Sequence, residues 1–458
     1  MPRVPPASEA ILTDDLAPAF RPAPGTACDV APSPSHRGAF LQHALRSGLW
    51  SGHFIMQTPR PSNLPLTFLQ RVTAVVSLAF CVLVLGFGCH RGPDILQASL
   101  PPSGKETAMA GTPTARSLPT QAMTECGLPS RLFHSEWPRV LPSTSPQERD
   151  PMPTGSFTLA LLPDTQYYTG CRYPHLRNQA AFIERERVNR NILAAISLGD
   201  ITDQNTPDEW EFARDALAPL GRYLPLLLTT GNHDVGQAGT SDNRDSLLNQ
   251  YFSEDWARAT GALRETLQPG HLENAFYSIA LGKVKLGILM LEWSPRQVSV
   301  DWANQVLTRY ADHRVIVATH AYLYDDSTRY DHEHRPDQAW NPYDYATAQG
   351  ALAADGNHDG EMLWNALIRR HAGIFLVVSG HVLGQGTGHL TSRGDSGNSV
   401  HQILVNYQML EQGGLGYLRL VEIAPDGRSL HMKTYSPSLG LYSYAAEQDY
   451  RLMLEPPL

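Results

Sequence analysis

Short apolar runs in this 458-residue chain end repeatedly in clusters of Asp, Asn, Gln and His. Leu224-Pro225-Leu226-Leu227-Leu228 leads into Thr229-Thr230-Gly231-Asn232-His233-Asp234. The run from Ser156 to Leu162 leads into Pro163-Asp164-Thr165-Gln166, and that from Ile192 to Leu198 into Gly199-Asp200-Ile201-Thr202-Asp203. Val315 to Ala318 ends at Thr319-His320, and Ile374 to Ser379 at Gly380-His381. Each run reads as a buried strand. In a layered α/β fold, the C-terminal edge of such strands is where ligands bind. Pooled, the clusters supply carboxylates, amides and imidazoles but no thiolate, a donor set that suits Mn, Fe or Zn. A carboxylate that bridges two ions about 3.5–4 Å apart lets them clamp a phosphoryl group and activate a bound water. A single Gly-Asp or Thr-His is commonly a turn or a cap. Ordered recurrence at strand ends is what points to chemistry.

The intervening segments supply the elements that must hold these clusters. Asn178 to Arg190 is rich in strong helix formers. Thr206-Pro207-Asp208-Glu209 opens a helix, with Thr206 as N-cap, Pro207 in the first turn and Glu209 closing a capping box. Strand, helix, strand, helix, strand is the alternation of a layered α/β fold. Downstream, strands are predicted at 276–280 and 284–291, helices at 301–310 and 361–371, and strands at 400–406, 415–423 and 430–434. The Asp426-Gly427 pair makes a hairpin turn. Residues 240–270 are expected to cap the site, and 325–359 reads as a polar insertion without periodicity.

The order Asp-x-(His/Gln), Gly-Asp-x-x-Asp, Gly-Asn-His-Asp, His, Gly-His resembles that of the calcineurin-like metallophosphoesterases, over residues 156–435. Asp164-Thr165-Gln166-Tyr167-Tyr168 and Val405-Asn406-Tyr407-Gln408 further resemble a bacterial exported branch with an Asp-Thr-Gln first motif. The resemblance implies an α/β fold, a four-layer αββα sandwich with two mixed sheets. It implies two divalent or trivalent metal ions (Mn, Fe or Zn). Asp164 and Gln166 would bind the first, Asp200 would bridge both, and Asn232, His320 and His381 would bind the second. His233 would contact the phosphate and protonate the leaving oxygen as a general acid. Asp234 would orient the His233 ring, while Asp203 would hold its loop. The substrate implied is a phosphate mono- or diester, on a small molecule or an exposed phosphate group. Two departures bear on the first ion. Gln166 stands where many relatives carry His, and Gly380-His381-Val382-Leu383 puts a non-ligand, Leu383, at the second His of the last motif. The first ion is therefore expected to bind more weakly or to be harder, with His389 or His401 as candidates to fill the gap. The rival reading is a non-catalytic binding module on the same fold.

Gly356-Asn357-His358-Asp359 repeats the tetrapeptide but follows Ala353-Ala354-Asp355 rather than an apolar run. Asp359 there reads as a helix cap. His332, His334 and Arg335 read as a solvated loop or a lid, and Tyr167-Tyr168 as pocket lining or packing.

The formal net charge of −9 gives no electrostatic reason to expect a nucleic-acid partner. Val72 to Phe87 is apolar and uncharged, follows Arg71 and precedes Gly88-Cys89, as in a signal peptide or lipoprotein signal. Export to the periplasm or cell surface is expected, with a possible membrane tether through Cys89. Residues 1–55 read as a non-native or disordered extension ahead of a start at Met56. Residues 56–89 would be the signal, 90–154 a Pro/Ser/Thr-rich tether, and 155–458 the phosphoesterase domain. In an oxidising compartment Cys126 and Cys171 would be free to pair.

Overall fold

The computed structural model describes residues 140–458. The proposed extension, the apolar segment, Cys89 and Cys126 lie outside the described residues. Within them, strands and helices form two mixed sheets flanked by helices, the predicted α/β sandwich.

The first sheet has the order β1 (Thr144–Ser145), β14 (Leu441–Ser443), β13 (Ser429–Ser436), β12 (Leu418–Ile423), β2 (Phe157–Leu162), β3 (Ile192–Ser197), β4 (Leu226–Leu227), with β15 (Tyr450–Met453) also on β13. β2, β3 and β4 are parallel to one another, and β12 is antiparallel to β2. The second sheet has the order β10 (Thr387–Arg393), β11 (Ser399–Val405), β9 (Ile374–Ser379), β8 (Arg314–Ala318), β7 (Val284–Met290), β6 (Ala275–Leu281), β5 (Leu263–Thr266). Here β11, β9, β8 and β7 run parallel, with antiparallel strands at both edges.

Side-chain alternation explains the layers. Ile288 and Met290 of β7, Ile316 and Ala318 of β8, and Leu376 and Val378 of β9 join the core shared with the first sheet. Leu289, Val315, Val317 and Val377 face the other way, onto Val300, Ala303 and Val306 of the helix Gln297–Arg309 and Leu363 of the helix Gly360–Ala366. Successive residues of a strand point to opposite faces, so a strand apolar at every position needs cover on both. Each Leu, Ile, Val or Met side chain among them contributes about 1.5–3 kcal/mol when withdrawn from water. On the first sheet that cover includes the helix α1 (His175–Glu186), with Phe182 and Ile183, and α2 (Pro207–Leu217), with Trp210 and Ala213. α2 begins as its sequence predicts, Glu209 accepting from the Thr206 N–H at 3.2 Å.

Composition assigns residues 90–154 to a tether, but the described end of that stretch belongs to the sheet. Thr144 and Ser145 pair with Ser443 and Tyr442. Glu148 then binds Arg190 (2.7 Å) and the buried Lys433 (2.6 Å), which also meets Glu422 at 2.7 Å. A buried ammonium needs such partners; Pro and Ser content in the segment conceals them. Residues 240–270, expected as a cap, contain two short helices and the edge strand β5.

Candidate metal centre

Strand register sets the site. Leu162 of β2 lies beside Ser197 of β3, so the chain leaves both strands at one level and delivers Asp164 and Asp200 together. Ala318 of β8 lies beside Val378 of β9, which delivers His320 and His381 together from the other sheet. β4 is two residues long and carries Asn232, His233 and Asp234 on a single turn of 3-10 helix. Gln166 opens the short helix after Asp164. All of the predicted site residues thus gather at one edge of the sandwich.

The turns are tight. Asp164, Asp200 and His381 hold positive φ (45°, 49° and 75°), a region that strains non-glycine residues and recurs at functional sites. A Cβ at Gly231 would run into Asp200 Oδ1, and one at Gly380 into Asp164 Oδ2. The glycines let these backbones approach the carboxylates.

Acceptors converge here. His320 Nδ1 donates to the Leu198 carbonyl (2.8 Å) and His381 Nε2 to the Trp340 carbonyl (2.8 Å). Those bonds fix each tautomer, leaving His320 Nε2 and His381 Nδ1 as lone pairs that face each other at 3.1 Å. Asn232 Oδ1 lies 3.2 Å and Asp200 Oδ1 3.3 Å from His320 Nε2. Asp200, His320 and His381 each present a ligand atom within 4.8 Å of the others, and all three are buried. Acceptors packed this closely repel unless a cation or a proton joins them. On the other side of Asp200, Asp164 Oδ2 and Gln166 Oε1 are buried without a hydrogen-bond partner. Buried oxygens of that kind are costly. The residues present therefore fit divalent metal ions.

Protonation follows the same logic. Burial opposes charge on His320, but Asp200 outweighs it and raises the imidazole to about 9. Burial, then the charge on His320, drives His381 down to about 3. Burial, with Asp200 adding, pushes the Asp164 carboxyl up to about 8. Burial would raise Asp200 too, but His320 and His233 hold it below the usual carboxylate range.

Two predicted roles change. Asp234 does not orient the His233 ring. Its carboxylate accepts from Ile201 N (3.0 Å), Thr202 N (2.8 Å), Thr202 Oγ1 (2.9 Å) and Gly231 N (2.9 Å), tying the Asp200 loop to the tetrapeptide turn. The ring is held by the Asp203 carbonyl, 2.8 Å from Nδ1, while the His233 N–H donates to Asp200 Oδ1 at 2.9 Å. A tight turn sends the Asp234 side chain back under its own loop, which residue order does not reveal. Nor do His389 and His401 reach the centre. His401 is registered with Leu376, well below the strand end, and bonds Thr391 Oγ1 (2.9 Å) and the Met453 carbonyl (2.9 Å). His389 bonds Thr391 Oγ1 at 3.1 Å, and its ring lies tilted against that of His401.

The repeated tetrapeptide is structural, as expected. Asp359 caps the helix Gly360–Ala366 through Met362 N at 3.0 Å and pairs with His332 at 2.8 Å. His332 stacks on Tyr343 at 3.6 Å, so it packs within the insertion. Tyr168 is core, its hydroxyl accepting from Gly416 N at 3.0 Å. Two contributors, Trp293 and Trp340, belong to no motif, and a third, Gln408, lies in the Val405-Asn406-Tyr407-Gln408 motif without an assigned role. Trp293 packs against His320 (5.6 Å) and His381 (5.1 Å), and its place after β7 was the available signal. Trp340 acts through its carbonyl, which leaves no mark in sequence. Gln408 bonds Gln166.

Two mixed sheets bring carboxylate, amide and imidazole groups to one strand edge, where Asp200, His320 and His381 form a candidate metal site on an α/β sandwich. The chain belongs to the calcineurin-like phosphoesterase family, whose model matches residues 157–385. It is 26% identical over 302 residues to the uncharacterized protein YvnB of Bacillus subtilis (strain 168), a match covering 64% of this chain. It spans only 21% of that protein's length. Among solved structures it is similar to GAP50, the anchor in the inner membrane complex of Plasmodium, at 12% identity and a TM-score of 0.36, covering 66% of this chain and 90% of that one. It is also similar to a predicted phosphoesterase from Streptococcus pneumoniae TIGR4, at 10% identity and a TM-score of 0.26, covering 66% and 99%.

Proposed function

We propose that this chain hydrolyses a phosphate mono- or diester with two metal ions, and that His233 protonates the leaving oxygen. The observation that carries this reading is the convergence of Asp200 Oδ1, Asn232 Oδ1, His320 Nε2 and His381 Nδ1, with both rings anchored from behind by carbonyls. Ions held by these residues and by Asp164 and Gln166 would supply a water of lowered pKa and a clamp on the phosphoryl oxygens.

The chain's own groups do the rest. The Asp203 carbonyl fixes the His233 tautomer and aims Nε2 away from the loop. The His233 side chain is 33% exposed, against 0% for His320, so it stands between the cluster and solvent. Burial works against its charge, but Asp200 and the Asp203 carbonyl raise its pKa above the ordinary imidazole value. That keeps a proton available for a departing alkoxide. Asp234 keeps the two loops in register.

Hydrolysis of p-nitrophenyl mono- and diesters, with and without Mn, tests the proposal. Asp200→Asn removes the bridging charge and is expected to abolish turnover. More than about a tenth of wild-type activity under saturating Mn contradicts the bridging role.

We further propose, on the apolar run from Val72 to Phe87 that precedes Gly88-Cys89, that the domain is exported to the periplasm or cell surface and tethered through Cys89. Cys171 is disulfide-bonded, in keeping with an oxidising compartment. Mass spectrometry of the mature N-terminus tests it. A lipidated Cys89 supports the tether, and peptides from residues 1–55 contradict the Met56 start.

A further inference from the structure

Gln166 presents its Nε2 to two oxygens, Asp200 Oδ2 at 3.1 Å and Gln408 Oε1, while its own Oε1 has no partner. The two ends of a carboxamide are nearly the same size, and a half-turn of the side chain exchanges them. After that exchange Gln166 Oε1 would join Asp200 Oδ2 and Gln408 Oε1, and Asp164, two residues before Gln166, has its own Oδ2 buried without a partner. Oxygens so grouped need a cation.

Gln408 reaches this place by topology. Leu404 of β11 is registered with Ser379 of β9, so the turn after β11 arrives beside Gly380-His381, the loop in which Leu383 has no donor. Gln408 N donates to Asn406 Oδ1 at 2.8 Å, which fixes the turn, and the residue is only 6% exposed.

We propose that Gln408 is a ligand of the first metal ion, supplying through Oε1 the donor that Leu383 cannot. This rests on the two-ion reading above. With Asp164, Gln166 and Asp200 it makes an all-oxygen site, which favours Mn over Zn. The second site, with two imidazoles, accepts Zn or Fe.

The test loads the full chain with equimolar Mn and Zn, measures bound metal by elemental analysis and titrates Mn calorimetrically. Wild type is expected to hold two ions, with Mn at the all-oxygen site. Gln408→Ala keeps the second ion and weakens the first by about tenfold or more. Gln408→Glu adds ligand charge and tightens Mn by about tenfold. Gln408→His shifts the first site toward Zn. The Glu and His changes are gains that misfolding cannot mimic, so they decide the matter even if the Ala variant is unstable. If wild type holds two ions and the Glu and His variants leave affinity and Mn/Zn ratio unchanged, Gln408 is not a ligand and the two-ion reading stands. If wild type holds none, both fail.

Discussion

Asp234→Asn separates the two roles open to that residue. The carboxylate is fully buried and accepts two hydrogen bonds at each oxygen: Thr202 N and Oγ1 at Oδ1, Ile201 N and Gly231 N at Oδ2. Asn has the same shape but replaces one acceptor by an N–H2. Turned toward Ile201 N and Gly231 N, the N–H2 faces two donors; turned toward Thr202 it faces one, the Thr202 N–H, because the Thr202 hydroxyl can rotate and accept. A hydrogen bond to a charged group is worth about 1.5–3 kcal/mol, so one lost bond, with the charge gone from the others, amounts to about 2–4 kcal/mol before the loops relax. We expect a loss of about 2–3 kcal/mol. The assay is urea unfolding of the protein in chelator, so that bound metal adds nothing to stability. A loss below about 1 kcal/mol, with a large fall in turnover, would refute the loop-tying role and restore the orienting one.

Other substitutions probe the same edge. Asp203→Asn should change turnover less than about fivefold, because the backbone carbonyl holds the His233 ring; a loss as large as that of His233→Ala would contradict this. His233→Ala should impair alkyl esters far more than p-nitrophenyl esters, whose leaving group needs no proton; equal losses on both would remove the general acid. Gly231→Ala drives a Cβ into Asp200 Oδ1, so purified protein should carry less metal than wild type by elemental analysis. For pH, burial and then His401 push His389 down to about 4 from 6.5. The unfolded chain then binds the proton first, so this group's contribution is full above pH 6.5 and is lost as pH falls toward 4. His389→Gln should flatten the melting temperature across that window, and an unchanged slope would count against it.

Much of the candidate site was legible because its polar groups follow strands. Apolar runs announce β2, β3, β8 and β9, and neighbouring parallel strands end at one level, so the polar residues just beyond them are brought together. The repeated Gly-Asn-His-Asp shows that the preceding strand carries the information, since the copy at 356–359 caps a helix and binds Arg244 and Ser294 through Asn357. What was hidden has physical reasons. β10 reads Thr-Gly-His-Leu-Thr-Ser-Arg, a half-exposed edge strand with little apolar signal. β1 is two residues long in a Pro- and Ser-rich stretch. The roles of Asp203 and Asp234 depend on which way a tight turn throws a side chain, and Asp203 acts through backbone. Trp340 also contributes only its carbonyl, from an insertion with no periodicity.

Anomalous diffraction from a crystal of the wild-type chain grown with Mn tests the central claim most directly. The account predicts one peak bounded by Asp200, Asn232, His320 and His381, and a second on the Asp164–Gln166 side of Asp200. Diffraction that shows neither peak, with the imidazoles of His320 and His381 still face to face, would contradict it.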